Sequence, residues 1–552
     1  MKPVGPTPAF KYTEDYDAHA PFSAGEAALA RNRIRFLAIG MLVLLLLLAG
    51  RAVQLAFSGD PLAEPHRSAV VASTSRADIV DRNGVLLATT VRAYTLTAEP
   101  DLVWKAPETA DALRQLFPEL DRATLIRKLS DQGRRLVFLR RSLTPGQREA
   151  VMALGLGGIG FADEERRVYP QGQLAAQALG FTDVDLKPLA GVERGLDDAI
   201  RSAGEEGRPV RLSIDVRIQY ALESELDAAA RATHATGGSA ILLDGRTGET
   251  LALASWPTFD PNRAGDSQRD DRRDRVAGDL HELGSTIKPF TVAMALQEQR
   301  TSPAEVFDLS QPFDVDGSVI TDEHTILGPA TLREILARSS NIGAARLALR
   351  LGEARQTSYL QRLGLLSAAS LELGRNQAPL APAINTRRDL AGRGFGYNLA
   401  ATQAALAGAY TVFVNNGTRV PPTLVPRNAG DRIVRTQVFT PAVTRQLLLY
   451  MRAVVTDGTG RAADVPGLQV AGKTGTAEKL TGDTQVYDQS RNFSSFAGVF
   501  PANDPHYVIV LALDDTGAGE QGGAVAAPAI GRILRRIAPM LGLAVEPSAT
   551  AR

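Results

Sequence analysis

The chain has 552 residues, 44% of them hydrophobic and 22% charged, with 61 basic against 61 acidic side chains. That balance is globular, with room for about three to four domains. A net charge of zero argues against nucleic-acid binding through bulk charge and against an acidic disordered chain. The absence of cysteine excludes disulfides, thiolate zinc sites and cysteine nucleophiles. Six scattered histidines include no HExxH or close pair, so no metal site is expected. Only eight of the basic residues are lysines, which makes each lysine inside a motif more informative.

Residues 1–35 are polar, with Pro3, Pro6 and Pro8, and are expected to form a flexible cytoplasmic tail. Phe36 to Gly50 is then free of charge, and after Arg51 the chain stays mostly apolar to Phe57. A spanning helix needs about 20 residues, so residues 36–57 suffice only if Arg51 snorkels at an interface. Arg31, Arg33 and Arg35 precede the run and would hold the N-terminus in the cytoplasm. A cleaved signal peptide is the rival reading, but the apolar run ends in Gly50-Arg51 and not in an A-x-A-like site. The expectation is a single-pass anchor with the bulk of the chain outside the cytoplasm.

Residues 58–230 form a mixed region. Asn83-Gly84 between apolar runs predicts a hairpin over Val80 to Thr90. Leu113 to Ser130 and Gln147 to Leu154 have the pattern of amphipathic helices, and Ile218, Leu222, Leu226 and Ala229 share one helix face. Residues 231–543 open with a strand pair, Ala240 to Leu243 and Thr250 to Ser255. Helical stretches follow at 285–299, 331–351 and 400–414. Strands are expected at Val470 to Ala477, Phe496 to Val499 and Tyr507 to Leu513. Strands that rejoin one antiparallel sheet after a helical run predict an α+β sandwich. Residues 544–552 are expected to be a frayed tail.

Three short motifs carry chemistry. In Ser285-Thr286-Ile287-Lys288 the hydroxyl and amine lie three residues apart, on one face of a helix. A serine alcohol needs a base, and lysine serves only where its surroundings keep it neutral. Ser339-Ser340-Asn341 can aim a hydroxyl and an amide into one cleft, although Ser and Asn are also ordinary cap residues. Lys473-Thr474-Gly475-Thr476 sits on a predicted strand, where a glycine marks close approach of another backbone or a ligand. A lysine beside two threonines suits a carboxylate. Each motif alone is weak; together, once each and in this order, they are the set found in serine β-lactamases and penicillin-binding proteins.

On these residues the chain resembles the class B penicillin-binding proteins. Arg76-Ala77-Asp78-Ile79-Val80-Asp81-Arg82-Asn83-Gly84 is similar to the family's RGxIxDRNG box, with Ala77 in place of glycine. Arg167-Val168-Tyr169-Pro170 and Gly191-Val192-Glu193-Arg194-Gly195 resemble boxes of its non-catalytic pedestal (dimerisation-type) domain. Leu212-Ser213-Ile214-Asp215 matches the entry to the transpeptidase domain. Leu283 stands where proline is usual, and Gly394-Phe395-Gly396-Tyr397-Asn398 is a modified GQG-type stretch. Size and motif spacing look most like the division-specific branch, with the elongation-specific branch as the alternative.

The resemblance implies a serine-type D-Ala-D-Ala transpeptidase that crosslinks peptidoglycan stem peptides in septal wall synthesis and binds β-lactam antibiotics covalently. It makes Ser285 the nucleophile, Lys288 the base and Ser339 the proton relay. Asn341, Lys473, Thr474, Gly475 and Thr476 become substrate-binding residues, with the N–H groups of Ser285 and Thr476 as the oxyanion hole. No metal, nucleotide or organic cofactor is implied. The implied location is the inner membrane at the division site, with the catalytic domain periplasmic, and the implied partners are the multi-pass glycan polymerase FtsW and other divisome proteins. A serine β-lactamase would need a water-activating base that the sequence does not show. A D,D-carboxypeptidase would differ in its products. A catalytically silent divisome scaffold is disfavoured by the intact motifs.

Overall fold

The computed structural model describes residues 24–57, 76–428, 430–480, 487–516 and 522–545. Of the tails expected at 1–35 and 544–552, residues 1–23 and 546–552 lie outside them, as do the first residues of the pedestal region, whereas residues 24–35, expected to be flexible, are helical. Two units are separate: residues 1–73 and residues 74–552. The first contains one helix, α1 (Ala24–Phe57). The expected span over 36–57 is thus helical, but no helix among the described residues is long and apolar enough to cross a membrane. The uncharged run of residues 36–50 covers about 22 Å at 1.5 Å per residue, so a helix matched to a hydrocarbon core of about 30 Å would have to include Arg51.

In the second unit, the Asn83-Gly84 turn joins β1 (Ile79–Val80) antiparallel to β2 (Leu86–Ala98). Asp81 builds the turn by accepting from the N–H groups of Asn83 and Val85, both at 2.8 Å. The predicted helix from Leu113 to Ser130 is two helices, α2 (Ala106–Leu116) and α3 (Arg122–Leu129). Pro118 cannot continue a helix and turns the residue before it away from helical geometry; Asp121 restarts the chain by capping Thr124 N–H at 2.8 Å. These helices pack with β3 (Val137–Leu143) and α4 (Pro145–Ala153) on β2 around Leu96, Leu113, Phe117 and Leu125. The next strand, β4 (Ile159–Val168), pairs with β2, while β5 (Val210–Arg211) pairs parallel with β1.

Three separate sequence boxes meet in one buried ion cluster. Glu193, on the short helix α5 (Gly191–Gly195), is fully buried. Its carboxylate accepts from Arg76 Nε at 2.9 Å and Arg167 Nε at 2.7 Å, and more loosely from the Tyr169 hydroxyl at 3.4 Å. Arg76 also pairs with Asp197, and Arg167 donates to the carbonyls of Arg76 and Ala77. A charge here survives only because each partner is paired and hydrogen-bonded.

The larger sheet has the order β8-β9-β10-β6-β7, all antiparallel. Its members are β6 (Gly237–Asp244), β7 (Thr250–Trp256), β8 (Ala471–Leu480), β9 (Tyr487–Phe500) and β10 (Tyr507–Asp514). Alternation along β10 sets the layers. Ile509, Leu511 and Leu513 pack toward the helices α6 (Val216–Ala232) and α12 (Ala526–Ile537). Val508 and Val510 join the core of α7 (Lys288–Gln297), α10 (Gln403–Val414) and α11 (Pro441–Thr456). The α+β sandwich expected from the sequence is the fold observed.

The cluster at Glu193 generates a stability prediction. Glu193→Gln leaves two buried guanidinium groups short of their counter-charge, which costs about 3–5 kcal/mol. Urea unfolding of the full chain is expected to show that loss; a change under about 0.5 kcal/mol, the range of ordinary surface substitutions, would refute the cluster's structural role.

Candidate active site

Ser285 lies in a 3-10 turn, Gly284–Ile287, that runs directly into α7. The expected helix at 285–299 therefore starts three residues late. Gly284 has φ +49 and lies against β8, where a Cβ would stand 2.8 Å from the Thr476 carbonyl oxygen. Gly396, from the modified glycine stretch, abuts the other side: its Cβ would come 2.0 Å from the Gly284 carbonyl oxygen. The Tyr410 hydroxyl donates to Thr286 O at 2.8 Å from within the core. The turn is thus clamped between the sheet edge and two helices.

The predicted helix over 331–351 is broken into α8 (Leu332–Ala337) and α9 (Asn341–Leu351). Ser339 sits in the gap with φ +60, a left-handed conformation that a non-glycine residue adopts only when its surroundings enforce it. The end of α8 supplies that enforcement, with Ser339 N–H donating to Leu336 O at 3.1 Å and Ser340 N–H to Ile335 O at 2.9 Å, and Asp322 fixes the residues that follow. Its carboxylate accepts from the Ser340 hydroxyl at 2.6 Å, Asn341 N–H at 2.6 Å and Ile342 N–H at 3.0 Å. The start of α9 is therefore held from outside the helix, which leaves Ser339 facing Ser285.

The third motif lies on β8, the edge of the sheet. A Cβ on Gly475 would stand 2.4 Å from Ser495 Oγ and 2.8 Å from Thr286 Cγ2, so only glycine lets the strand approach the 3-10 turn. In an antiparallel strand a residue's C=O and N–H point to the same side. The Thr476 carbonyl faces Gly284, so its N–H faces the same cleft.

Three of the predicted site residues, Ser285, Lys288 and Lys473, meet at the hydroxyl of a fourth, Ser339. Ser339 Oγ donates to Ser285 Oγ at 3.0 Å and accepts from Lys473 Nζ at 2.9 Å and Lys288 Nζ at 3.3 Å. Lys288 also donates to Ser339 O at 2.5 Å and Asn341 Oδ1 at 2.7 Å. No hydrogen bond joins Lys288 directly to Ser285 among the described residues, unlike the direct contact that the three-residue spacing suggests; the link passes through Ser339. Asn341 is committed at both ends, since its Nδ2 donates to Thr321 O at 3.1 Å. Thr474 Oγ1 bonds Thr459 Oγ1 at 2.6 Å, and Thr476 Oγ1 accepts from Gly522 N–H at 3.1 Å.

Both lysines are fully buried. Burial pulls Lys288 down to about 7, opposed by the carboxylates of Asp322 and Glu323. Lys473 is held well below the usual lysine range by burial and by the neighbouring charge of Lys288. The arrangement thus supplies an activatable alcohol, a relay hydroxyl, an amine able to take a proton near neutrality, and a second amine in need of an anion. That is equipment for acyl transfer from a substrate bearing a carboxylate.

Sequence reasoning missed Asp322, Thr459 and Tyr410. Asp322 caps a helix that begins nineteen residues later, so no local capping signature announces it. It carries a prediction: Asp322→Ala is expected to slow acylation by penicillin about tenfold or more, since a displaced catalytic group costs rate steeply. Stopped-flow acylation kinetics read this directly, and an unchanged rate would show that Asp322 does not position Ser339.

Comparison with known proteins agrees with the geometry. The penicillin-binding protein transpeptidase domain matches residues 238–535, and the penicillin-binding protein dimerisation domain matches residues 71–199. The chain is 40% identical to the probable peptidoglycan D,D-transpeptidase FtsI of Caulobacter vibrioides, over 85% of this chain and 82% of the relative. It is 31% identical to the peptidoglycan D,D-transpeptidase FtsI of Escherichia coli K12, over 86% and 85%. Penicillin-binding protein 3 of Mycobacterium tuberculosis, solved with aztreonam, superposes with a TM-score of 0.67 at 26% identity, covering 86% of this chain and 97% of that one. With both domains matched in order and such relatives along most of its length, the chain belongs to the class B penicillin-binding proteins.

Proposed function

We propose that the protein is the septal peptidoglycan D,D-transpeptidase of its cell, acting through an acyl-enzyme on Ser285. The observation that carries this reading is the bonded path Ser285–Ser339–Lys288, with Lys473 on the same hydroxyl. With the two hydroxyl hydrogens turned toward Lys288, its neutral amine draws a proton from Ser339 as Ser339 takes one from Ser285. Ser285 Oγ attacks the carbonyl between the two terminal D-alanines, and the C–N bond breaks. The proton returns through Ser339 to the leaving D-alanine amine. An amine from a second stem peptide then attacks the ester, gives up its proton along the same path and restores the Ser285 hydroxyl.

Lys473, Thr474 and Thr476 receive the substrate's terminal carboxylate in this scheme. No carboxylate bonds either buried amine among the described residues, so an arriving carboxylate supplies the missing counter-charge and favours the ammonium form of Lys473. The N–H groups of Ser285 and Thr476 would stabilise the oxyanion, where losing one donor costs about 3 kcal/mol. Gly475 admits the strand to this position, and Asn341 aligns Lys288 through Oδ1 and offers the second hydrogen of Nδ2 to the stem-peptide amide. Residues 58–230 act as pedestal and 231–543 as the catalytic domain.

The same reading makes α1 the single inner-membrane anchor, with Arg51 at its outer interface, the N-terminus cytoplasmic and the catalytic domain periplasmic. The substrate lies at that membrane face, and the multi-pass polymerase FtsW with other divisome proteins would supply nascent strands. The uncharged stretch of fifteen residues and the three preceding arginines support this.

Two outcomes are expected. Fluorescent penicillin should label wild type covalently and leave Ser285→Ala unlabelled; equal labelling would refute Ser285 as nucleophile. The acylation rate should rise with pH to a plateau, with a midpoint near 7, because the ammonium form of Lys288 cannot accept the proton. A rate flat from pH 5 to 9 would exclude that role.

A further inference from the structure

A second concavity lies apart from Ser285, where the pedestal meets the transpeptidase domain. It encloses about 650 Å³ and shares no lining residue with the three motifs. Five arginines line it, Arg194, Arg269, Arg272, Arg273 and Arg375, against three acids, Asp270, Asp274 and Asp279.

The acids are already engaged. Asp279 accepts from Arg273 Nε at 2.5 Å, and Asp270 accepts from Arg275 at 2.5 Å. Asp274 turns to the N–H groups of Val276 and Ala277, at 2.9 and 3.2 Å. Arg272 donates to a carbonyl oxygen, that of Ala264, at 3.1 Å and lies over the Phe181 ring at 5.9 Å, with no carboxylate bonded to it among the described residues. No ion pair is made by Arg194, Arg269, Arg272 or Arg375 among the described residues. Four uncompensated guanidinium groups thus surround one hollow in a chain whose net charge is zero.

The fold fixes two of these arginines across the domain junction. A Cβ on Gly195 would stand 2.2 Å from Glu372 O, and one on Gly374, at φ +71, would stand 2.8 Å from Arg194 Cγ. Helix α5 and residues 372–375 are therefore in backbone contact, which brings Arg194 and Arg375 to one rim. Phe181, Leu189 and Leu373 add an apolar wall. A concave surface of one sign raises the local concentration of its counter-ion, and guanidinium forks match carboxylate and phosphate oxygens in pairs. The volume lies within the range of about 300–1,000 Å³ typical of small-ligand sites.

We propose that this junction cavity binds a multiply charged oxyanion ligand, through Arg194, Arg269, Arg272 and Arg375, independently of the catalytic cleft. Its carboxylates or phosphates would replace the counter-charge that the protein withholds. The ligand could come from the carboxylates of a wall peptide or from a phosphate group, and the test separates the two.

Calorimetry on the full chain, with the catalytic pocket occupied by penicillin, would titrate two probes: a soluble muropeptide bearing carboxylates without phosphate, and inorganic pyrophosphate. Saturable binding of at least one probe is expected. It should weaken tenfold or more in R269E/R375E, two exposed and unpaired positions, and persist in R135E, an exposed arginine elsewhere on the pedestal. Muropeptide binding alone assigns the site to wall carboxylates; pyrophosphate binding alone assigns it to phosphate. Absence of saturable binding, binding retained in R269E/R375E, or an equal loss in R135E would overturn the proposal.

Discussion

Two lysine amines withdrawn from water onto a single serine hydroxyl are the constraint around which the rest of the catalytic domain is organised. Lys288 and Lys473 both contact Ser339 Oγ. Neither arrangement is cheap, since burial disfavours the charged form of each and the two repel one another. The compensation is local: carbonyl oxygens of Ser339 and Thr474 and the amide oxygen of Asn341 accept from the amines. The surrounding backbone is correspondingly over-determined. Ser339 is held left-handed by the backbone bonds that close α8 and is followed by residues that Asp322 caps, and β8 reaches the 3-10 turn only because Gly475 has no side chain.

The pedestal rests on a comparable device of opposite composition, a single carboxylate between two guanidinium groups. Glu193 ties the start of the described second unit to β4 and to α5. Contacts between the regions then run through matched polar pairs. Asn262 and the Tyr169 backbone exchange two hydrogen bonds at 2.9 Å, and Arg82 pairs with Glu249 at 3.3 Å. These pairs join sequence boxes from both regions and hold the pedestal against the catalytic domain.

Much of this was legible in the sequence where local chemistry decides the structure. The Asn83-Gly84 hairpin, the continuously apolar strand Tyr507 to Leu513 and the three motifs all announce themselves through turn residues, apolar runs and spacing. The misreadings have equally local causes. Apolar periodicity runs across Pro118 and across Ser339, although a proline breaks one helix and a left-handed residue, followed by a cap from a distant carboxylate, breaks the other. The direct Lys288–Ser285 contact expected from helical spacing fails because the 3-10 turn and the Ser339 carbonyl turn the amine aside. Asp322, Thr459 and Tyr410 were invisible because each acts on a residue far along the chain, where no periodicity connects them.

The central claim is that Lys288 is held in the neutral form near physiological pH. The most direct test is NMR titration of the lysine side chains in protein labelled at lysine Cε, where eight lysines keep the spectrum tractable and Lys288→Arg gives the assignment. The account predicts a midpoint for Lys288 near 7. A midpoint near 10, the value of an exposed lysine, would mean that the amine stays protonated and would contradict its role as the base.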